Sequence, residues 1–101
     1  MNCCTSASNT LIRDEKILIW NFMEELVEKY HEAERRGNSL FFAISNFEST
    51  RLPLLSFGAQ SILEILCRFE RKTEFIRISN GTVAFTKKGL IEAQKNTRDW
   101  C

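Results

Sequence analysis

Much that would mark a recognisable chemistry is scarce in this chain. It has one proline, four glycines and one histidine in 101 residues. So little Pro and Gly excludes a collagen-like or low-complexity chain, and 44% hydrophobic residues exclude a disordered one. The longest apolar runs, Ile17–Trp20 and Leu40–Ile44, fall far short of the roughly 20 residues that cross a bilayer. No basic stretch leads into an apolar one near the N-terminus, which argues against a secretory signal. There is no Gly-rich phosphate loop, no paired-cysteine zinc spacing and no nucleophile elbow. Excess charge is missing too. Fourteen Lys and Arg against thirteen Asp and Glu leave +1, which excludes polybasic and acidic tails.

The four cysteines, Cys3, Cys4, Cys67 and Cys101, form no spaced disulfide framework. Cys67 falls on an apolar helical stripe and reads as a small core residue. Free thiols of this kind point to a reducing cytoplasm. The spacing matches no zinc pattern, so neither metal nor cofactor is expected. His31 sits among glutamates on a predicted helix and reads as a surface residue. No base–nucleophile pair stands out, so the chain does not read as an enzyme.

What is present organises well. The length suits one domain. Residues 1–10 are small and polar and read as a flexible N-terminal segment; 11–101 read as a single domain. From Leu11 to Arg36, Ile12, Ile19, Phe22, Met23, Leu26, Tyr30 and Ala33 recur at helical spacing, with Trp20 and Val27 widening the stripe. Glu24, Glu25, Glu28, Glu32 and Arg35 fall mainly off the stripe and are expected to face water. Gly37 after Arg35 and Arg36 makes a helix stop. Ser39–Phe47 holds a continuous apolar run that suits either a buried strand or a short helix; the short helix, capped by Asn38 or Ser39, is the expectation. Glu48–Leu52 reads as a loop before Pro53. A second helix runs from a Ser56 cap to about Lys72, with Ile62, Ile65, Leu66 and Phe69 inward.

The period then falls from 3.6 to 2. Asn80-Gly81 separates the runs Phe75–Ile78 and Thr82–Phe85, a strong hairpin signal because a type I′ turn needs positive φ at both central residues. Thr86 caps a closing helix through Lys95. The order of a long helix, a short element, a helix, a hairpin and a helix is mainly α with one β-hairpin. Ile62 to Gln94, with the Phe85-Thr86-Lys87-Lys88-Gly89-Leu90 junction, resembles the winged-helix branch of the helix-turn-helix superfamily.

That resemblance implies a small DNA-binding regulator acting as a homodimer on double-stranded DNA. The helix before the wing would enter the major groove. Its DNA-facing residues would be Gln60, Ser61, Arg68 and Arg71, with Arg77 and Asn80 at the wing and Lys87 and Lys88 on phosphates. Trp20, Met23, Val27 and Tyr30 are the expected dimer anchors. The alternative is a winged-helix module that binds protein through the acidic first helix and Leu40–Ile44. The charge asymmetry fits both, since residues 1–50 carry −3 and residues 51–101 carry +4. A contiguous positive face over Gln60, Arg68, Arg71, Lys87 and Lys88 favours DNA. A face broken by Glu64, Glu70 and Glu74 favours a protein partner.

Overall fold

A computed structural model describes residues 11–50 and 59–100, with the backbone alone for 11–14, 59 and 60. Helix α1 (Leu11–Arg36) leads to strand β1 (Phe42–Ala43) and two single turns of 3-10 helix, Ile44–Asn46 and Glu48–Thr50. Helix α2 (Ala59–Thr73), strands β2 (Ile76–Ser79) and β3 (Thr82–Phe85) and helix α3 (Lys87–Ala93) follow. This is the mainly helical fold with one hairpin and a long first helix that the periodicities predict. The segment 1–10, the Ser56 cap, Pro53 and Cys3, Cys4 and Cys101 lie outside the described residues.

The stripe of α1 buries Leu18, Ile19, Phe22, Met23, Leu26, Val27 and Ala33, and packs on Ile62, Ile65, Leu66 and Phe69 of α2. The helix stops in a Schellman arrangement. The N–H of Asn38 donates to the carbonyl of Ala33 at 2.8 Å and that of Gly37 to Glu34 at 3.3 Å. Gly37 takes φ +72° at the position where a side chain would be strained.

The segment after α1 corrects the expectation of a short helix. Phe42 and Ala43 pair antiparallel with Val83 and Thr82, and the strand order is β1-β3-β2. The free edge of β3 satisfies the backbone here, so the apolar run needs no helical hydrogen bonds of its own. The 3-10 turns follow because Phe47 must reach Phe22, where the rings stack at 4.4 Å. Glu25 is likewise corrected from a solvated residue to a cap. Its carboxylate accepts from the N–H groups of Glu48 at 2.7 Å and Ser49 at 2.8 Å.

In the hairpin, Ile76, Arg77, Ile78 and Ser79 pair with Phe85, Ala84, Val83 and Thr82. Asn80 and Gly81 take φ 52° and 77°, as the Asn-Gly pair requires. The outer edge of β2 is covered where Oε2 of Glu70 accepts from the Ile78 N–H at 3.0 Å. Thr86 caps α3 through an N–H bond from Gly89 at 3.1 Å. Helix α3 ends at Ala93, short of the predicted Lys95. Cys67 is half-buried rather than core.

The C-terminal segment turns back onto α1. Trp100 is wholly buried between Phe75, at 5.8 Å edge-to-face, and Phe85, at 6.1 Å stacked. This corrects Glu24, expected to face water. Its carboxylate accepts from Arg98 Nε at 2.9 Å, Arg98 Nη2 at 2.7 Å and Trp100 Nε1 at 2.8 Å. The Arg98 bonds hold the Glu24 carboxyl below its ordinary pKa against the opposing effect of burial, and Trp100 reinforces them.

Candidate nucleic-acid interface

Helix α2 ends at Thr73, because Glu74 turns left-handed at φ 59°; the Thr73 side chain bonds back to the carbonyl of Phe69 at 2.8 Å. Phe75 then enters the hairpin, and its carbonyl accepts from the Thr86 N–H at 3.0 Å. The Thr86 hydroxyl donates to the Glu74 carbonyl. These bonds seat the last turn of α2 against the first turn of α3. Arg71 and Lys72 close α2, while Lys87 and Lys88 open α3. Exposed Arg71, Lys87 and Lys88 thus lie on two helix ends that these bonds hold together, with exposed Glu74 at the joint. The ammonium of Lys88 lies 5.8 Å from the centroid of the Phe75 ring.

Gly89 makes the close approach possible. A Cβ there would run into the Phe75 carbonyl oxygen and come within 2.9 Å of Cδ1 of Phe85. Only glycine lets α3 lie this near the base of the hairpin.

The expected contact residues separate into groups. Arg71, Lys87 and Lys88 are exposed at the junction, Arg77 is exposed on β2 and Asn80 is exposed at the turn. Arg68 is exposed but turned across to α1, where its Nη2 lies 3.2 Å from Oε2 of Glu15. Ser61 is half-buried, and the side chain of Gln60 lies outside the described residues. Glu64 is exposed on the outward side of α2, beside Leu63 at 41% exposure. The positive face is therefore broken along α2 at Glu64 and at the Arg68–Glu15 pair. Its remaining exposed cations, Arg71, Lys87 and Lys88, lie where α2, the hairpin base and α3 meet. Glu70 does not interrupt it in the expected way, since its carboxylate is turned to the Ile78 N–H.

The dimer anchors need a larger correction. Met23 is fully buried and Val27 nearly so within this one chain, so neither is available to a partner. The stripe is wide because α1 is covered on two sides, by α2 and by the C-terminal segment. Tyr30 is half-buried against Phe85, with ring centroids 5.7 Å apart, and its hydroxyl donates to Glu34 at 3.5 Å. Burial, aided by the Glu34 charge, raises the Tyr30 pKa above its ordinary value. Of the four, Trp20 alone is exposed, at 40%.

Phe41 is a surface feature without a clear signal in the sequence. A two-residue strand is too short to show alternation, so the outward position of Phe41 could not be read from periodicity. Among the described residues, no group of three His, Cys, Asp or Glu is placed to hold a metal ion, and no helix is long and apolar enough to cross a membrane. No family model, curated protein or solved structure matches this chain.

Proposed function

We propose that the chain is a nucleic-acid-binding module of winged-helix type that attaches chiefly to phosphates. The observation that carries this reading is that the bonds of Thr86 to Glu74 and Phe75 hold the end of α2 to the start of α3, with exposed Arg71, Lys87 and Lys88 on those ends. Cations presented together on rigid elements neutralise phosphate and release counterions, which supplies affinity without sequence discrimination. Winged-helix resemblance is supported by the strand order, in which β1 closes the free edge of the hairpin ahead of a helix that ends at its base. Base reading by α2 has less support, because exposed Glu64 puts a negative charge on the outward side of that helix.

The test is a fluorescent DNA duplex titrated with protein across a salt series. Binding should weaken steeply with salt. The double substitution Lys87→Ala and Lys88→Ala should reduce the log–log slope by about 2, since each neutralised phosphate contributes ~0.9. The reading fails if no salt-dependent binding is seen at low ionic strength.

A protein-binding role is the second reading. Exposed Leu63 beside Glu64 on the outward side of α2 favours it. A partner that binds there would be displaced by Leu63→Asp, with Lys87 and Lys88 making no difference.

A further inference from the structure

The solvent side of the small sheet presents a separate surface. Side chains alternate across a strand. Val83 is in the core, and Phe42 and Ile78 pack against it. Ala43, Thr82 and Ser79 therefore share the opposite face, in one row set by the two registers. The next row pairs Ala84 with Arg77. Continuing the β1–β3 register by one residue sets Phe41 on the other side of Ala84. By this register the positions of Phe41, Ala84 and Arg77 share one row across the sheet, with about 10 Å between the outer two chain segments.

Phe41 is 65% exposed, more than any other large hydrophobic residue among those described. Ala84 is only 8% exposed although it is on the solvent side, as expected if Phe41 and Arg77 flank it. The other side chains of this face are alanine, serine and threonine, which leave it flat. The Thr82 hydroxyl is folded down onto the Ser79 carbonyl at 2.7 Å and does not project.

Building on the phosphate-binding reading above, we infer that this face binds single-stranded nucleic acid, with a base stacked on Phe41 and the adjoining phosphates on Arg77 and the lysines at the hairpin base. An aromatic ring on a flat surface beside cations suits this ligand, because every base offers a π-face and every linkage a charge. Lys87 and Lys88 follow directly after β3, and the Lys88 ammonium lies 5.8 Å from the centroid of the ring of Phe75, which precedes β2. The charges nearest Phe41 do not oppose this. Glu28 and Glu32 line the groove beside it together with Lys29 and Arg36, and the four cancel. A duplex keeps its bases stacked on one another and would leave Phe41 unused.

The experiment compares fluorescein-labelled thymidine and uridine oligonucleotides of roughly 12 nucleotides with a duplex of the same length, titrated by anisotropy. Phe41→Ala should weaken single-strand binding about tenfold and leave duplex binding unchanged, while Phe41→Trp should retain it. Arg77→Ala should lower both the affinity and the salt slope for single strands. Equal affinities for thymidine and uridine strands place recognition in the aromatic base face and phosphate, which the two share; preference for one places part of it in the 2′-hydroxyl or the thymine methyl, which differ. Circular dichroism of each variant checks the fold, which an exposed residue should not affect. Duplex binding that survives beside single-strand binding indifferent to Phe41 overturns this inference and leaves the phosphate reading intact. Failure of every nucleic acid to bind overturns both.

Discussion

The indole N–H of Trp100 donates to Oε2 of Glu24 at 2.8 Å and so ties the end of the chain to the middle of its first helix. Arg98 forks onto the same carboxylate, and its Nη1 also donates to the Ala93 carbonyl at 3.2 Å. One glutamate thereby holds a whole segment in place. The indole completes a run of neighbouring rings from Phe69 through Phe75, Trp100 and Phe85 to Tyr30.

Trp100→Ala should therefore be severe. Emptying a fully buried indole site costs about 3–5 kcal/mol, a large part of the roughly 5–15 kcal/mol that holds a domain of this size together. Urea unfolding followed by circular dichroism should show the midpoint collapse. Trp100→Phe should cost less, because a ring remains and only the Glu24 bond and some volume disappear.

Acid should loosen the same segment. The Glu24 pKa is lowered by Arg98 and Trp100. For Glu92, burial alone would raise the pKa. The bonds from Lys95 and the Asp99 N–H outweigh it, so the value is lowered. Groups with depressed folded values contribute stability that is present above the unfolded pKa and lost as pH falls through the folded one. Stability should thus decline once pH drops below the ordinary carboxylate value of about 4.5. A red shift of tryptophan emission on acid titration would report it. Glu24→Gln should lower stability near neutral pH by about 1–2 kcal/mol, given the partial exposure of the pair, and flatten the acid limb.

Gly89→Ala and Gly81→Ala should separate two uses of glycine. At Gly89 the added Cβ meets backbone, so α3 must shift off the hairpin, at a cost of about 1–3 kcal/mol or more. At Gly81 nothing lies within 4 Å, and only the φ of 77° opposes a side chain, at a cost of about 1–2 kcal/mol. Gly89→Ala should also weaken duplex binding by displacing Lys87 and Lys88, whereas Gly81→Ala should leave it unchanged. Thermal melts and anisotropy titrations on the same samples test both.

Glu74→Gly should move stability and binding together. Glu74 sits at φ 59° at the end of α2, where glycine is relieved of about 1 kcal/mol of strain. Glu74 also puts an exposed carboxylate at the joint between α2 and the hairpin. The variant should melt at a higher temperature and bind duplex more tightly at low salt. Unchanged affinity would show that the junction does not meet phosphate.

The sequence by itself determined the elements whose signals are local. The 3.6 period set α1 and α2, Gly37 set the end of α1, Asn80-Gly81 set the hairpin and Thr86 set the start of α3. Each depends on backbone geometry or capping within a few residues. It also identified the cations Arg71, Lys87 and Lys88, though not that the helix ends carrying them are joined through Thr86. Tertiary structure decided the rest, because those outcomes depend on partners far along the chain. Phe42 became a strand when β3, much later in the chain, offered an edge. Glu24 and Glu25 left the solvent when Arg98, Trp100 and the Glu48 turn reached them. Met23 and Val27 turned from surface anchors into core for the same reason. A stripe shows which side chains seek cover, but the covering partner is set by long-range contacts that periodicity does not encode.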